Sequence, residues 1–556
     1  MQSMTYENSE GDRATTQIVG SLDEFEPNSM KMTKVGSQTL VVVRTSDGVF
    51  ALDNACPHQG YGLATGALGT DAAGEPAITC QWHNWKFRVS DGVCTLGEED
   101  VACHPVSVDS HGSISVSVTT PTPDEERTRL WPSLRRGIEA QYSGQIARDS
   151  IRLLENEAAP ADIMWEGVKL GAAKNDYGPG HEIALAADCL HLAELWTGDD
   201  RALALVQGLS GIAEQSRGYP ARSVPEPDPT VDFADAVENE QYTDAMAWVA
   251  AAIERGDEPS ALRHHFVKSV SNHHIGYGHG AIYVQKMFEL LERAGWDRAL
   301  DLLPHLVLPV SGGTREDTLP YMRKAMEAVE GVDLESLANS PDRRDTGWDP
   351  NILTKQLLAA EAAPIDLAVR AILDGAGVEG LLDSVTLAVS ERLLRYDLDV
   401  EADREANFGW LDITHGMTYA RAARWAWQND PGPHTARLAL FTAWLAFDTG
   451  RAERRHGVAR APEPDGAVAA ALTGDIDEVA DSLARAAMDD RGGSFIVVAH
   501  LVKTVQAARE EAEFTGSSLP LAAAARFVHA PRRERFVARS VAESLDFVKT
   551  GRPPRR

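Results

Sequence analysis

Ala55-Cys56-Pro57-His58-Gln59-Gly60 and Thr79-Cys80-Gln81-Trp82-His83-Asn84-Trp85-Lys86-Phe87 are the two stretches that decide how the N-terminal part of this chain folds. Each places a cysteine and a histidine on one short loop, and residues of strand character flank both loops. Two thiolates with two imidazoles suit either zinc or a two-iron, two-sulfide cluster carrying Cys₂ on one iron and His₂ on the other. Outward from the loops the signals are those of β structure. Leu40-Val-Val-Val-Arg44 and Val49-Phe-Ala-Leu52 flank Ser46-Asp47-Gly48, a hairpin pattern. Ser90-Asp91-Gly92 and Asp109-Ser110-His111-Gly112 are further turns, the latter leading into the alternating Ser113 to Val118. A small all-β domain is expected over residues 15–118.

The pattern C-x-H…C-x-x-H on two loops, with Gly60, Trp82, Trp85, Phe87 and Asp91-Gly92 around it, resembles the Rieske ferredoxin and oxygenase family. The resemblance implies that Cys56 and Cys80 hold the buried iron of a [2Fe-2S] cluster, with His58 and His83 on the outer iron. Imidazole in place of thiolate removes negative charge and raises the potential. High-potential members carry an extra, disulfide-linked Cys in each loop. Gln59, Gly60, Tyr61 and Gln81-Trp82 stand here instead, which implies a lower-potential, ferredoxin-like cluster. Cys94, Cys103 and Cys189 fall outside the ligand pattern and read as small buried thiols.

Thr119-Thr-Pro-Thr-Pro-Asp-Glu-Glu126 has the composition of a linker, so residues 119–126 are expected to join the β domain to the remainder of the chain. Residues 127–556 read as a large all-helical domain, single or divided into two subdomains. Ala281, Val284, Phe288 and Leu291, and again Val498, Leu501, Val505 and Ala508, recur at helical spacing. Leu438 to Phe447 is apolar on nearly every face and should lie centrally. The fold class is multidomain, a small all-β domain followed by a large all-α one.

A Rieske-type cluster has no open coordination position, so a group beyond it must accept or supply its electrons. Histidines mark its apolar segments: His181, the group His273, His274 and His279, then His415 and His500. Imidazoles projecting inward from several helices are how bundles build metal and cofactor sites. Positions 274 and 279 lie about 140° apart on a regular helix. They converge only if Gly276, Gly278 and Gly280 break it. His274 to His279 supplies the H-x-x-x-x-H half of the mononuclear-iron motif of Rieske oxygenases, but Ser271 stands where that motif has Asp. Asp188-x-x-His191 and Asp412-x-x-His415 place a carboxylate and an imidazole on one helix face, as di-iron bundles do. The segments around His274, His415 and His500 also resemble the all-helical questin-oxidase-like family, which implies oxygen-dependent ring opening of polycyclic aromatic ketones.

The expected function is an iron-sulfur oxidoreductase. It would be an O₂-dependent oxygenase or oxidase whose cluster passes single electrons to a metal or substrate pocket lined by these six histidines, a pocket able to hold a second iron. The alternative is a non-catalytic electron-transfer or redox-sensing protein whose helices are a partner-binding scaffold. No Gly-rich dinucleotide fingerprint follows a strand, so an external reductase or ferredoxin reductase should supply electrons. Apolar helices favour a hydrophobic small-molecule substrate. Lys plus Arg number 53 against 83 Asp plus Glu, a net charge of −30 that repels phosphate backbones and anionic lipid. Nucleic acid and membrane are therefore not expected partners. Residues 1–16 lack the basic and apolar regions of a secretion signal, and Leu438 to Phe447 is far short of the ~20 residues that span a bilayer. With five cysteines and no disulfide framework, a cytoplasmic location is expected.

Overall fold

The computed structural model of the protein describes residues 14–216, 218–343, 348–359, 363–403, 408–489, 494–532 and 536–551. Two compact units divide it, Met1–Ala159 and Pro160–Arg556. Three antiparallel sheets build the first. Ser29–Val35, Gln38–Arg44, Val49–Asp53 and Cys103–His104 form one. Ala67–Thr70, Pro76–Thr79, Lys86–Arg88 and Cys94–Leu96 form the second. Ala14–Ser21, Ser113–Thr119 and Val106–Val108 form the third.

The Leu40 to Val43 run is apolar at every position because both faces of its strand are covered. Leu40 and Val42 pack with Phe25, Ile114 and Val116, while Val41 and Val43 pack with Ile78, Phe87, Val89, Cys56 and Cys80. Thr45 N–H donates to the Gly48 carbonyl at 2.9 Å and closes the expected hairpin. The second of these cores roots both Cys/His loops, so burial of the thiols and folding of the sheets are one event.

The stretch expected to be a linker is structured. Thr119 ends a strand, and Thr122 caps helix α1 (Pro123–Ala140). Thr122 Oγ1 accepts from Glu125 N–H at 3.2 Å, and Thr122 N–H donates to Glu125 Oε2 at 2.7 Å. Thr-Pro-Asp-Glu-Glu is therefore a capping box with Pro at the first helical position, a composition that linkers share. Helix α2 (Ser143–Glu155) comes next, and both helices belong to the same compact unit as the sheets, so the division falls at 159/160 rather than within 119–126.

The second unit is built of helices. Leu438 to Phe447 lies within the helix Pro433–Asp448 and is buried at most of its positions, as its apolar composition requires. Among the described residues no helix is long and apolar enough to cross a membrane. Arg424 is fully buried on the helix Trp410–Asn429. It pairs with Glu511 at 2.9 Å, Asp383 at 2.9 Å and Glu379 at 2.5 Å. Removing one partner of such a network leaves buried charge uncompensated, which costs about 3–5 kcal/mol. Arg424→Met is expected to lower the unfolding free energy by that amount. A loss under about 1 kcal/mol in denaturant titration would show that the carboxylates do not depend on this cation.

Candidate functional site

The two Cys/His loops share one backbone design. Cys56 N–H donates to the Tyr61 carbonyl at 2.8 Å, and Gly60 N–H donates to the Cys56 carbonyl at 2.7 Å. Cys80 N–H donates to the Trp85 carbonyl at 2.8 Å, and Asn84 N–H donates to the Cys80 carbonyl at 3.2 Å. The fourth residue after each cysteine, Gly60 or Asn84, takes a left-handed conformation, φ 77° and 62°. Both cysteines are buried and unpaired. Burial, opposed by the His58 N–H and reinforced by Cys80, pushes the Cys56 thiol up to about 11. The His58 and His83 rings meet edge to face with centroids 4.2 Å apart, and Trp85 stacks on His58 at 4.9 Å. Trp82 is exposed and stacks on Tyr61 at 4.7 Å.

In the helical unit His181, His279, His415 and His500 bring one ring nitrogen each to within 4.8 Å of the others. The Nε2 atoms of His181 and His279 are 3.1 Å apart, those of His279 and His415 2.9 Å, and those of His415 and His500 3.4 Å. His181 and His279 are the first residues of the helices His181–Leu195 and His279–Ala294, while His415 and His500 lie within Trp410–Asn429 and Phe495–Thr515. The glycines before His279 break the chain as their spacing suggests. Gly276, Tyr277 and Gly278 have φ 53°, 60° and 94°, and a Cβ on Gly278 would stand 2.7 Å from Tyr419 Cγ.

The opposite ring edge determines the tautomer of His279, His415 and His500. Nδ1–H of His279 donates to the Gly276 carbonyl, that of His415 to Leu411 at 2.5 Å, and that of His500 to Ile496 at 2.7 Å. Nδ1 of His181 lies 2.8 Å from Tyr283 Oη. A neutral imidazole protonated at Nδ1 can only accept at Nε2. The inward nitrogens of His279, His415 and His500 are thus lone pairs facing lone pairs, while the Tyr283 hydroxyl can donate to His181 Nδ1 or accept from it. Protonation is no remedy, because burial holds His279 near 4 and pushes His181, His415 and His500 well below the usual imidazole range. Lys503, buried beside them and itself lowered to about 7 by burial, adds to the depression. A cation held by four imidazoles satisfies all of them, and this donor type suits zinc, copper, iron or nickel.

Residues 15–107 match the sequence profile of the Rieske [2Fe-2S] domain. This part of the chain is a Rieske [2Fe-2S] domain. A cholesterol 7-desaturase of Xenopus laevis is 44% identical over 64 residues, 11% of this chain and 13% of that protein. The ferredoxin component of the alkene monooxygenase system of Xanthobacter autotrophicus is 29% identical over 85 residues, 15% of this chain and 66% of that protein. The solved ferredoxin of carbazole 1,9a-dioxygenase from Nocardioides aromaticivorans is 30% identical, with 18% of this chain and 96% of that one aligned and a TM-score of 0.17. The chain spans 13% of the length of the cholesterol 7-desaturases it matches. The likeness of the helical region to questin-oxidase-like proteins gains no support from these relatives.

The residues of the Rieske domain fit its cluster. His58 Nδ1 is buried and makes no hydrogen bond, and two buried thiols share the core beneath it. Cys94 and Cys103 stand half-buried in the same unit, and Cys189 is buried in the helical one. The Rieske domain endows the chain with a one-electron redox function.

Two of the six helical-region histidines expected in the pocket do not join the other four. His273 is taken by Asp317 Oδ2 at 2.8 Å and Glu238 Oε2 at 3.0 Å. His274 is fully buried, 3.4 Å from Tyr419 Oη and 3.6 Å from Glu316 Oε2, and burial lowers it to about 4. Both precede the glycine break, which turns His279 away from them. Neither carboxylate of the D-x-x-H pairs joins the centre, since Asp188 binds Lys286 at 2.8 Å and Asp412 binds Arg451 and the Gly409 N–H. A second group, His264, Asp430 and His434, is complete as hydrogen bonds. Both imidazoles donate to Asp430 Oδ2 at 2.9 Å. A cavity of about 430 Å³ is lined by Asp188, Lys286, Glu289 and Arg421, and one of about 250 Å³ by Phe233, Trp248, His265 and Lys268. Charged side chains dominate the first, and aromatic rings share the second with imidazole and ammonium groups. Tyr283 and Lys503 carry no sequence signal of their own, although each stands one helical turn from a histidine of the centre.

The pairing of His273 carries a pH dependence. Its hydrogen bond to Asp317 first, then that to Glu238, raises its pKa against burial. The stabilisation is fully present below the unfolded value near 6.5 and is lost as pH rises through the higher folded value. His273→Gln is therefore expected to cost more stability at about pH 5.5 than at about pH 9. Equal losses in denaturant midpoint at the two pH values would refute the assignment.

Proposed function

We propose that the chain is an O₂-using oxidoreductase in which a metal held by His181, His279, His415 and His500 receives single electrons from the Rieske domain. The observation that carries this is the convergence of four imidazole nitrogens, three of them held as lone pairs by backbone carbonyls on the far ring edge. Backbone carbonyls and Tyr283 orient the rings, the arrangement by which metal-binding imidazoles are aimed and made more basic. The Rieske cluster, when bound by Cys56, Cys80, His58 and His83, supplies electrons one at a time. Iron is the metal favoured, because related Rieske domains belong to a desaturase and to an alkene monooxygenase system. An external reductase feeds the cluster, and the substrate is a hydrophobic small molecule. Five unpaired thiols suit a reducing, cytoplasmic setting.

Elemental analysis of the purified chain together with EPR tests the reading. Iron above two per chain, with a signal distinct from that of the cluster, is expected. Two irons and no other transition metal would remove the second centre and leave an electron-transfer protein on a helical scaffold.

A further inference from the structure

Helix α2 lies outside the residues that match the Rieske profile, yet it belongs to the same compact unit and reaches the cluster loops. Arg148 Nη1 donates to the His58 carbonyl at 3.3 Å. Its Nε donates to Glu99 Oε2 at 2.8 Å, and its guanidinium carbon lies 5.5 Å from the centre of the Tyr142 ring. Tyr142 in turn stands with its ring centroid 6.2 Å from His58 and 5.7 Å from Trp85. Glu99 is buried and also accepts from Arg152 at 2.5 Å, so two guanidinium groups share one carboxylate. The third group nearby, Asp149, is buried and pushed by burial toward its neutral form. Arg148 Nη2 is buried and makes no hydrogen bond. The cation in contact with the His58 loop thus comes from an element that the matched domain does not include.

We propose that Arg148 is a positioning residue for the Rieske cluster, holding a positive charge against the His58 loop so that the cluster's reduction potential is raised. Reduction adds one negative charge to the cluster, and charge and hydrogen bonding around it are the protein's levers on the potential. A unit charge about 10 Å away at an effective dielectric near 20 biases a one-electron equilibrium roughly tenfold or slightly more. Each factor of ten corresponds to ~59 mV. This rests on the Rieske assignment alone and is independent of the four-histidine centre.

The test is an EPR- and absorbance-monitored redox titration of the full chain with its cluster. Arg148→Gln is expected to shift the reduction equilibrium about tenfold toward the oxidised form, and Arg148→Lys to restore at least half of that shift in mV. Glu99→Gln removes the opposing carboxylate and should move the potential the other way. An Arg148→Gln shift below twofold or of the opposite sign overturns the proposal. So does an Arg148→Lys variant indistinguishable from Arg148→Gln, which would make the effect one of shape and not of charge. If Arg148→Gln fails to retain the cluster, Glu99→Gln decides: an upward shift supports the proposal, and no shift or a downward one overturns it.

Discussion

Replacing His279 with Gln should remove the metal of the helical unit while leaving the Rieske absorption and EPR signals unchanged. His279 is the hinge of the four-histidine set, since its Nε2 faces those of both His181 and His415 at 3.1 and 2.9 Å. Losing an orienting partner outside the ligands typically weakens metal binding about 10–100-fold, and losing a ligand costs more. Metal content after dialysis should thus drop to the cluster's iron alone. Tyr283→Phe, which removes only the partner of His181 Nδ1, should show the smaller effect, about 10–100-fold in affinity. His273→Gln is the control, because its side chain is committed to Asp317 and Glu238. Should His279→Gln keep the full metal complement, or His273→Gln lose it, the proposed set of four ligands is wrong.

Cys80→Ser is expected to abolish the Rieske absorption and EPR signals altogether, and Cys94→Ser to leave both intact. Cys80 sits in the core that Val41, Val43, Ile78 and Phe87 build, with its loop closed by hydrogen bonds to Trp85 and Asn84. A serine hydroxyl there offers no thiolate to a soft iron site, and metal binding is folding free energy in small domains of this kind. The variant should therefore also unfold at lower temperature over its N-terminal unit. Cys94 lies on the strand Cys94–Leu96, half-buried at the edge of that core, where burial pushes its thiol up to about 12. Loss of the cluster in Cys94→Ser would mean that the ligands have been misassigned.

The sequence by itself determined the Rieske domain, because its ligands lie on two local loops whose spacing and flanking residues are written contiguously. It also determined the all-helical character of the remainder, since the period of apolar residues is a local property. Segment boundaries were less legible: Thr119 to Glu126 has the same composition whether it links domains or caps a helix. The capping hydrogen bonds of Thr122 and Glu125 are what distinguish the two. The four-histidine centre was half legible. Each histidine could be marked on an apolar segment, but His273 and His274 were marked by the same signal as His279. Three positive-φ residues turn only His279 inward, and the carboxylates of Asp317 and Glu238 claim His273 from 44 and 35 positions away along the chain. Convergence of side chains separated by 85 to 136 residues depends on how helices pack, which no local pattern records. Tertiary structure alone decided which ring nitrogens face one another, because the tautomers of His279, His415 and His500 are set by backbone carbonyls on the far edge of each ring.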